Sequence, residues 1–137
     1  MTEPETILAK TIYGEARGES ITGKEAIASV VLNRLKISKQ KNGYWWGDSI
    51  KEICLKPWQF SCWNKDDPNY AKLQNLSDND EIYIICKRTA ARAAANLIPD
   101  ATDGATHYHT RNVRPQWSIG KFPCATIGHH VFYKHIG

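Results

Sequence analysis

The sequence predicts an α+β fold that is mainly helical, with a small β element near the C terminus. Apolar residues recur at helical spacing in several segments between residues 4 and 96. After Gly104 this periodicity gives way to short runs that are typical of strands. With 137 residues the chain fits one domain, which we place at residues 1–137, and it can bury a hydrophobic core.

The first helix is predicted from about Pro4 to Glu15. Thr2 and Glu5 have the spacing of a capping box, and proline is tolerated in a first helical turn. Ile7 starts a series at intervals of four residues that ends at Glu15. We therefore expect Glu15 on the inward-leaning face of this helix.

Three further helices are predicted. The segment from about Gly23 to Lys36 follows the helical period most closely, and Thr22 with Glu25 again has capping-box spacing. A short helix is expected to reach Cys54, with Ser49 and Glu52 at its start, and a long helix capped by Ser77 or Asp78 is expected to reach about Asn96.

The remaining segments are predicted to be loops and strands. Residues 41–47 and 56–63 are aromatic-rich loops, and residues 64–69 form a polar turn region. One strand is expected from Ala105 to His109 and another from Thr126 to Tyr133, joined by a loop around Trp117.

Composition and charge limit the classes of function. The formal charge of +4 is mild; it favours an anionic polymer but is not a nucleic-acid signature. No stretch approaches the ~20 apolar residues of a membrane span, and the acidic start lacks the features of a signal peptide. No CxxC pair occurs, so a zinc-ribbon or thioredoxin-like site has little support. Free thiols are expected in a cytoplasmic product, whereas one or two disulfides are possible if the protein works outside the cytoplasm. The cysteines are Cys54, Cys62, Cys86 and Cys124.

Glu15 is the main candidate for a catalytic residue. Composition alone favours a surface charge at a helix end, but Glu15 lies on the apolar side of its helix. Gly14 and Gly18 flank it and are expected to let a substrate approach the backbone. A carboxyl that is partly removed from water has a raised pKa and stays protonated near neutrality, as a general acid for an ether-type bond must.

Two other segments could contact a ligand. Residues 58–63 combine aromatic and amide side chains, which suit sugars, or else pack as a loop on the core; Gln59 is the better ligand candidate. Alternation along a strand would place His107 and His109 on one face, and His129 or His130 could complete a zinc site. Because no HExxH or comparable motif occurs, a structural or substrate-binding role is favoured, and no metal or cofactor is predicted.

Several of these residues carry a resemblance to the SleB-type cell wall hydrolases, which include the catalytic domains of spore cortex-lytic enzymes and some phage lysins. The resemblance covers about residues 6–134, and its most specific part is the GEARGE stretch followed by the VVLNR helix. The matching segments are residues 9–19, Gly23, residues 26–34, 59–61, 104–109, 115–117 and 127–133.

The resemblance implies a compact lysozyme-like fold and cleavage of the β-1,4 bond between N-acetylmuramic acid and N-acetylglucosamine. The catalytic glutamate of the family falls on Glu15. The second acid, Glu19, is expected to be structural and to pair with Arg17 or Arg34. Residues expected to bind the substrate are Gln59, Phe60, Tyr108, His109, Trp117 and His130.

A single evident carboxyl favours a lytic transglycosylase, which forms a 1,6-anhydro-muramic product, over a hydrolytic muramidase, which needs a second carboxylate. Asp66 and Asp103 stay open as that second acid. A non-catalytic wall-binding module is another alternative, and a metal-dependent hydrolase that uses His107, His109 and His130 is the third.

The biological setting is also an expectation. Spore enzymes of this family carry a signal peptide and a further peptidoglycan-binding domain, and neither is evident here. We therefore expect a phage or prophage lysin that is made in the cytoplasm and released to the cell wall by a holin. Its partner is expected to be peptidoglycan, without nucleic acid or membrane insertion, and the protein is expected to be a monomer.

Overall fold

The computed structural model describes residues 1–136. Helices precede a small sheet along the chain, and 3-10 turns occur at Ser61–Trp63 and Gln116–Ser118. The helices are α1 (Glu3–Ala16), α2 (Ile21–Gln40), α3 (Ile50–Leu55), α4 (Pro68–Gln74) and α5 (Glu81–Ala94). The strands are β1 (His107–Thr110), β2 (Ala125–Ile127) and β3 (His130–Tyr133). This architecture confirms the predicted α+β class with helix dominant.

The helix starts show which polar residues act as caps. In α1 the Thr2 hydroxyl accepts the backbone N–H of Glu5 at 3.3 Å, as the capping box predicts. In α2 the prediction was wrong: Ser20 is the cap and accepts from Gly23 at 3.1 Å, so the helix begins earlier than expected. Ser20 has extended backbone and therefore lies just outside the helix, where a capping side chain must lie.

The later helices follow the same rule. Ser49 caps α3 as predicted. The cap of α5 is Asp80, which accepts from the backbone of Tyr83 at 2.9 Å, whereas Ser77 closes a turn before it. The helix α4 was not predicted, because it is polar and buries only Leu73. Its cap, Asp67, lies inside the segment that was expected to be a turn region.

The hydrophobic core surrounds α1, which packs mainly on α5 and also on α2 and α3. No helix within residues 1–136 is long and apolar enough to span a membrane.

Gly14 lies where the 56–63 loop packs on α1. A Cβ at this position would lie 2.5 Å from Cβ of Cys62, so the loop could not approach the helix this closely with any other residue there. Gly14 therefore admits the 56–63 loop to α1 and not a substrate, which corrects the expectation for this glycine.

The sheet is antiparallel with the order β1-β3-β2. The strand predicted from Thr126 to Tyr133 is in fact two strands, because the chain turns at Gly128, whose φ is +58°. Register pairs Tyr108 with Phe132 and Thr110 with His130, so these four side chains share one face. The opposite face carries the side chains of His107, His109, Val131 and Tyr133.

Candidate active site

A groove of about 410 Å³ lies where the end of α1 meets the 56–63 loop and β1. Among the described residues, Glu15 is the one carboxylic acid that lines it. Its walls are otherwise aromatic, polar and cationic. The lining residues are Glu15, Arg34, Trp45, Trp58, Gln59, Ser61, His107, Tyr108 and Trp117.

Glu15 occupies the last turn of α1, on the same side as buried Thr11. Its Oε1 accepts a hydrogen bond from the hydroxyl of Tyr108, and its Oε2 lies 3.4 Å from the backbone N–H of Cys62, which donates to it. Burial raises the pKa of Glu15 above its usual range, although the hydrogen bonds from Tyr108 and Cys62 act in the opposite direction. The inward orientation predicted from the spacing of four is confirmed.

Tyr108 reaches Glu15 from the face of β1 that points to the core. The centroid of its ring lies 5.1 Å from that of His130 and 5.7 Å from that of Phe132, both on β3, and 6.5 Å from that of Phe60. These rings fix the phenol, so its hydroxyl has a defined direction toward the carboxyl. Burial also raises the pKa of Tyr108, which keeps the hydroxyl a donor.

Phe60 and His130 were expected to bind the substrate, and the structure places both beneath the groove. Phe60 is 1% exposed and belongs to the core. His130 is buried behind Tyr108, and burial lowers its pKa. Both residues therefore support the site by packing, and neither can touch a glycan in this arrangement.

The 56–63 loop combines the two roles that its sequence left open. Phe60 and Cys62 are buried, and the indole N–H of Trp63 donates to the Thr11 hydroxyl at 2.8 Å, which ties the loop to α1. Trp58 and Gln59, just before these anchors, and Ser61, between two of them, line the groove. One loop therefore packs on the core with some residues and faces the groove with others.

Arg34 is a groove residue that the sequence did not single out for this role. It is 4% exposed, and its guanidinium lies 5.1 Å from the ring centroid of Trp46 and 5.4 Å from that of Phe60. Its Nε donates to the carbonyl of Thr106 at 2.8 Å, and its Nη1 donates to Oε1 of Gln59 at 3.1 Å. The only early sign was its place in the VVLNR motif.

Aromatic rings surround the polar centre of the groove. Trp58 is 78% exposed and Trp45 is 49% exposed, so both present large apolar faces beside the cavity. Trp117 also lines the groove, and the centroid of its ring lies 5.2 Å from that of His107. Burial, followed by the charge of Arg34, lowers the pKa of His107 to about 4, so this histidine is neutral near neutrality.

His109 lies outside the groove. It hydrogen-bonds the Tyr133 hydroxyl at 2.9 Å and packs on Trp117. The metal hypothesis fails on strand geometry, because His107 and His109 share one face of the sheet while His130 points to the other. No group of three histidine, cysteine or acidic side chains within residues 1–136 is arranged to hold a metal ion.

Glu19 links the start of α2 to the sheet. Its carboxylate accepts the backbone N–H of His129 at 2.9 Å and lies 2.8 Å from Nδ1 of the same residue. Burial by itself raises its pKa, but the contacts with His129 and His130 outweigh this and lower the pKa below the usual range. The predicted pairing was wrong: Arg17 donates to a side chain of α4, and Arg34 donates to the groove wall.

The other acids considered as partners of Glu15 lie elsewhere. Asp103 is exposed and pairs with Lys134 at 2.8 Å. Asp66 borders a separate cavity behind Trp58. Asp67 is close enough for its charge to raise the pKa of Glu15, but it caps α4 and does not line the groove.

The four cysteines carry free thiols. Burial raises the pKa of Cys54 and of Cys86 to about 12, so these thiols are not ionised near neutrality. Cys62 packs against Gly14 and the Glu15 carboxyl, and burial raises its pKa as well. None of these three thiols is in a state that would make it a nucleophile.

Relatives of the chain have closely similar folds. The catalytic domain of the germination-specific lytic transglycosylase SleB from Bacillus anthracis matches 98% of this chain and 97% of its own, with a TM-score of 0.71 and 23% identity. The catalytic domain of the Bacillus cereus SleB protein matches 97% of this chain and 91% of its own, with a TM-score of 0.70 and 24% identity. At these identities the likeness shows the fold.

Sequence comparison adds the family. The chain is 29% identical over 129 residues to the spore cortex-lytic enzyme of Halalkalibacterium halodurans and 30% identical to that of Bacillus subtilis. It spans 33% and 36% of the length of these relatives. The family model for cell wall hydrolases matches residues 18–133, which begins after Glu15, so the role of Glu15 rests on geometry. The chain belongs to the SleB-type family of cell wall hydrolases.

Proposed function

We propose that this chain cleaves peptidoglycan at the β-1,4 bond between N-acetylmuramic acid and N-acetylglucosamine, and that it acts as a lytic transglycosylase. The observation that carries the proposal is Glu15, a carboxyl with a raised pKa that is alone among the described groove-lining residues in being an acid. The names of the relatives, which include a lytic transglycosylase and spore cortex-lytic enzymes, support the substrate class.

The first step is a proton transfer. Tyr108 donates to Oε1 of Glu15, so we place the acidic proton on Oε2, the oxygen that also accepts the longer hydrogen bond from the backbone N–H of Cys62. Glu15 gives this proton to the glycosidic oxygen while the bond from that oxygen to C1 of the muramic acid residue breaks. The positive charge that develops on the ring lies close to the carboxylate that has just formed, which stabilises it.

The second step uses the same carboxylate as a base. Glu15 takes the proton of the C6 hydroxyl on the same sugar, and O6 bonds to C1 to give the 1,6-anhydro product. Tyr108 stabilises the ionised carboxyl between the steps through its hydrogen bond. No water has to be activated, which fits a groove with one carboxylic acid and differs from the two-carboxylate arrangement of hydrolases.

The aromatic walls give the site its affinity for sugar. Trp45, Trp58 and Trp117 line the groove and offer apolar faces on which the C–H faces of sugar rings can stack. Gln59 supplies an amide, one end of which is held by Arg34. The formal charge of +4 favours approach to an anionic wall.

Product analysis tests this proposal. Purified protein is incubated with peptidoglycan, and the soluble fragments are examined by mass spectrometry. Anhydro-muramic ends are expected. Reducing ends would mean hydrolysis, and glycan that binds the protein but stays intact would mean a wall-binding module.

The Glu15→Gln variant tests the catalytic residue. This change should abolish the release of fragments while circular dichroism shows an unchanged fold. Activity that persists in EDTA is expected and would contradict a metal-dependent hydrolase.

A role as a phage or prophage lysin is a further proposal. Its support is the resemblance of the chain to a family that includes phage lysins. Expression in a bacterial host should cause lysis only when a holin is co-expressed, as followed by culture turbidity. Lysis without the holin, or none with it despite active protein in the extract, would contradict this role.

A further inference from the structure

Arg34 has an unusual electrostatic position in the groove. It is 4% exposed, yet no carboxylate lies within ion-pair distance of it among residues 1–136. Its two hydrogen-bond acceptors, the Thr106 carbonyl and the Gln59 amide, are both neutral. A buried cation without a counter-charge is unfavourable, and such groups are otherwise paired with an anion.

The rest of the groove does not neutralise this charge. Glu15 is the one acid that lines it among the described residues, and burial keeps that carboxyl protonated to higher pH than usual. Tyr108 stays neutral, and so does His107. The groove lining therefore offers Arg34 no carboxylate within ion-pair distance, and the raised pKa of Glu15 lowers the share of that acid that is charged at any given pH.

The geometry of Arg34 leaves part of its fork for a ligand. Nε and Nη1 are used within the protein, whereas Nη2 makes no hydrogen bond to residues 1–136. The rings of Trp46 and Phe60 hold the guanidinium, so its free edge is presented with little loss of rotamer freedom on binding. A guanidinium in this state suits the oxygens of a carboxylate or a phosphate, because the charge-assisted bond matches both shape and charge.

We propose that Arg34 recognises a carboxylate on the glycan next to Glu15. In peptidoglycan the sugar that carries a carboxyl is muramic acid, through its lactyl group. That carboxyl is an amide where a stem peptide is attached and a free carboxylate where the peptide has been removed. The enzyme should therefore prefer glycan strands with free lactyl carboxylates. This inference rests on the proposed function, since it requires a muramic acid residue in the groove.

Binding to an inactive variant tests the preference without turnover. Glu15→Gln protein is titrated with soluble glycan strands whose peptides were removed by an amidase, and with the same strands after their carboxyls are converted to methylamides. The free-carboxylate strand should bind about tenfold more tightly, because a charge-assisted hydrogen bond replaces a neutral one. Equal affinity, or no binding of either strand, would overturn the inference.

Variants at position 34 separate recognition from structural support. Adding Arg34→Gln to the Glu15→Gln protein should abolish the preference, and it should lower affinity for the free-carboxylate strand much more than affinity for a neutral N-acetylglucosamine oligomer, which can lose only the support that Arg34 gives to Gln59. Arg34→Lys should retain part of the preference, because it keeps the charge and loses the fork. The matched control is Arg88→Gln, a change at an exposed arginine of α5, which should alter neither affinity.

Two results would overturn the inference. One is equal loss of affinity for the charged strand and the neutral oligomer in Arg34→Gln, which would assign Arg34 a structural role. The other is retention of the full preference in that variant, whatever its thermal melt. Formation of anhydro products by the unmutated protein is measured separately, so failure of the proposed function and failure of this recognition are distinguishable.

Discussion

The carboxylate of Glu19 fills the space in which a side chain on Gly128 would lie. This contact joins the start of α2 to the turn between β2 and β3, and it leaves the turn with only one acceptable residue type. The φ of Gly128, +58°, adds a second reason, since side-chain-bearing residues adopt this conformation at a cost.

Gly128→Ala is therefore expected to destabilise the protein by about 2–4 kcal/mol, the sum of backbone strain and loss of the Glu19 contact. Gly120→Ala is the matched control, because Gly120 also has positive φ, at +77°, but has open space around it. The control should lose about 1 kcal/mol. Urea denaturation of both variants measures the difference, and equal losses would contradict the steric role of Glu19.

Tyr108→Phe removes the donor to Oε1 of Glu15. Because that hydrogen bond lowers the pKa of Glu15, its loss should raise this pKa further and move the alkaline limb of the pH–activity profile upward. The rate should fall about tenfold to a hundredfold, the range for a hydrogen bond to a charged group. Tyr83→Phe on α5 serves as the control and should keep both rate and profile. An alkaline limb that moves downward would contradict the geometry.

Glu15→Gln should raise stability near neutral pH. Burial raises the folded-state pKa of Glu15 above 4.5, so the folded protein binds the proton more tightly than the unfolded chain. The free energy of unfolding of the unmutated protein should then fall as pH rises from about 4.5 through the folded-state pKa. The Glu15→Gln variant has no carboxyl to ionise at this position, so its free energy of unfolding should not show this fall. Thermal melts of both proteins should diverge as pH rises across this window, and a constant difference would contradict the shift.

Asp67→Asn tests whether a second acid takes part in catalysis. Asparagine also caps helices, so α4 should keep its start. Since the charge of Asp67 raises the pKa of Glu15, the variant should lose activity at a slightly lower pH while still forming anhydro products. Complete loss of activity with an intact fold would point instead to a hydrolytic muramidase with Asp67 as its second carboxylate.

Trp58→Gly should separate stability from binding. Trp58 has a φ of +69°, which is strained for a bulky side chain, and it is 78% exposed. Glycine should therefore raise the free energy of unfolding by about 1 kcal/mol. Loss of the ring should weaken glycan binding about fivefold, whereas Trp58→Phe should retain most of the affinity. A glycine variant that is less stable than the unmutated protein would show that the Trp58 side chain stabilises the fold.

The sequence predicted those features that depend on local spacing. The inward face of Glu15 follows from a period of four within one helix, and the Thr2 cap follows from residues three apart. The cap of α2 was misplaced because Ser20 and Thr22 are both good capping residues, and only the backbone conformation decides between them.

Features that depend on distant contacts were harder to predict. Arg34 lines the groove because α2 packs beside the start of β1, and its hydrogen bond to Thr106 joins residues that are far apart in the chain. His130 was expected in the groove because strand alternation alone does not say which face points to the core. The turn at Gly128 divided the strand that was predicted from Thr126 to Tyr133 into β2 and β3.

The order of the strands governs when the site can form during synthesis. Glu15 belongs to the first helix, but its partner Tyr108 lies on β1, and β1 pairs with β3, which comes last along the chain. Until residue 133 has been added, β1 has no neighbour and the tyrosine has no fixed direction. A growing polypeptide therefore carries Glu15 from its first helix onward, but the hydrogen-bond partner of this acid is held in place only after β3 has been made and has paired with β1.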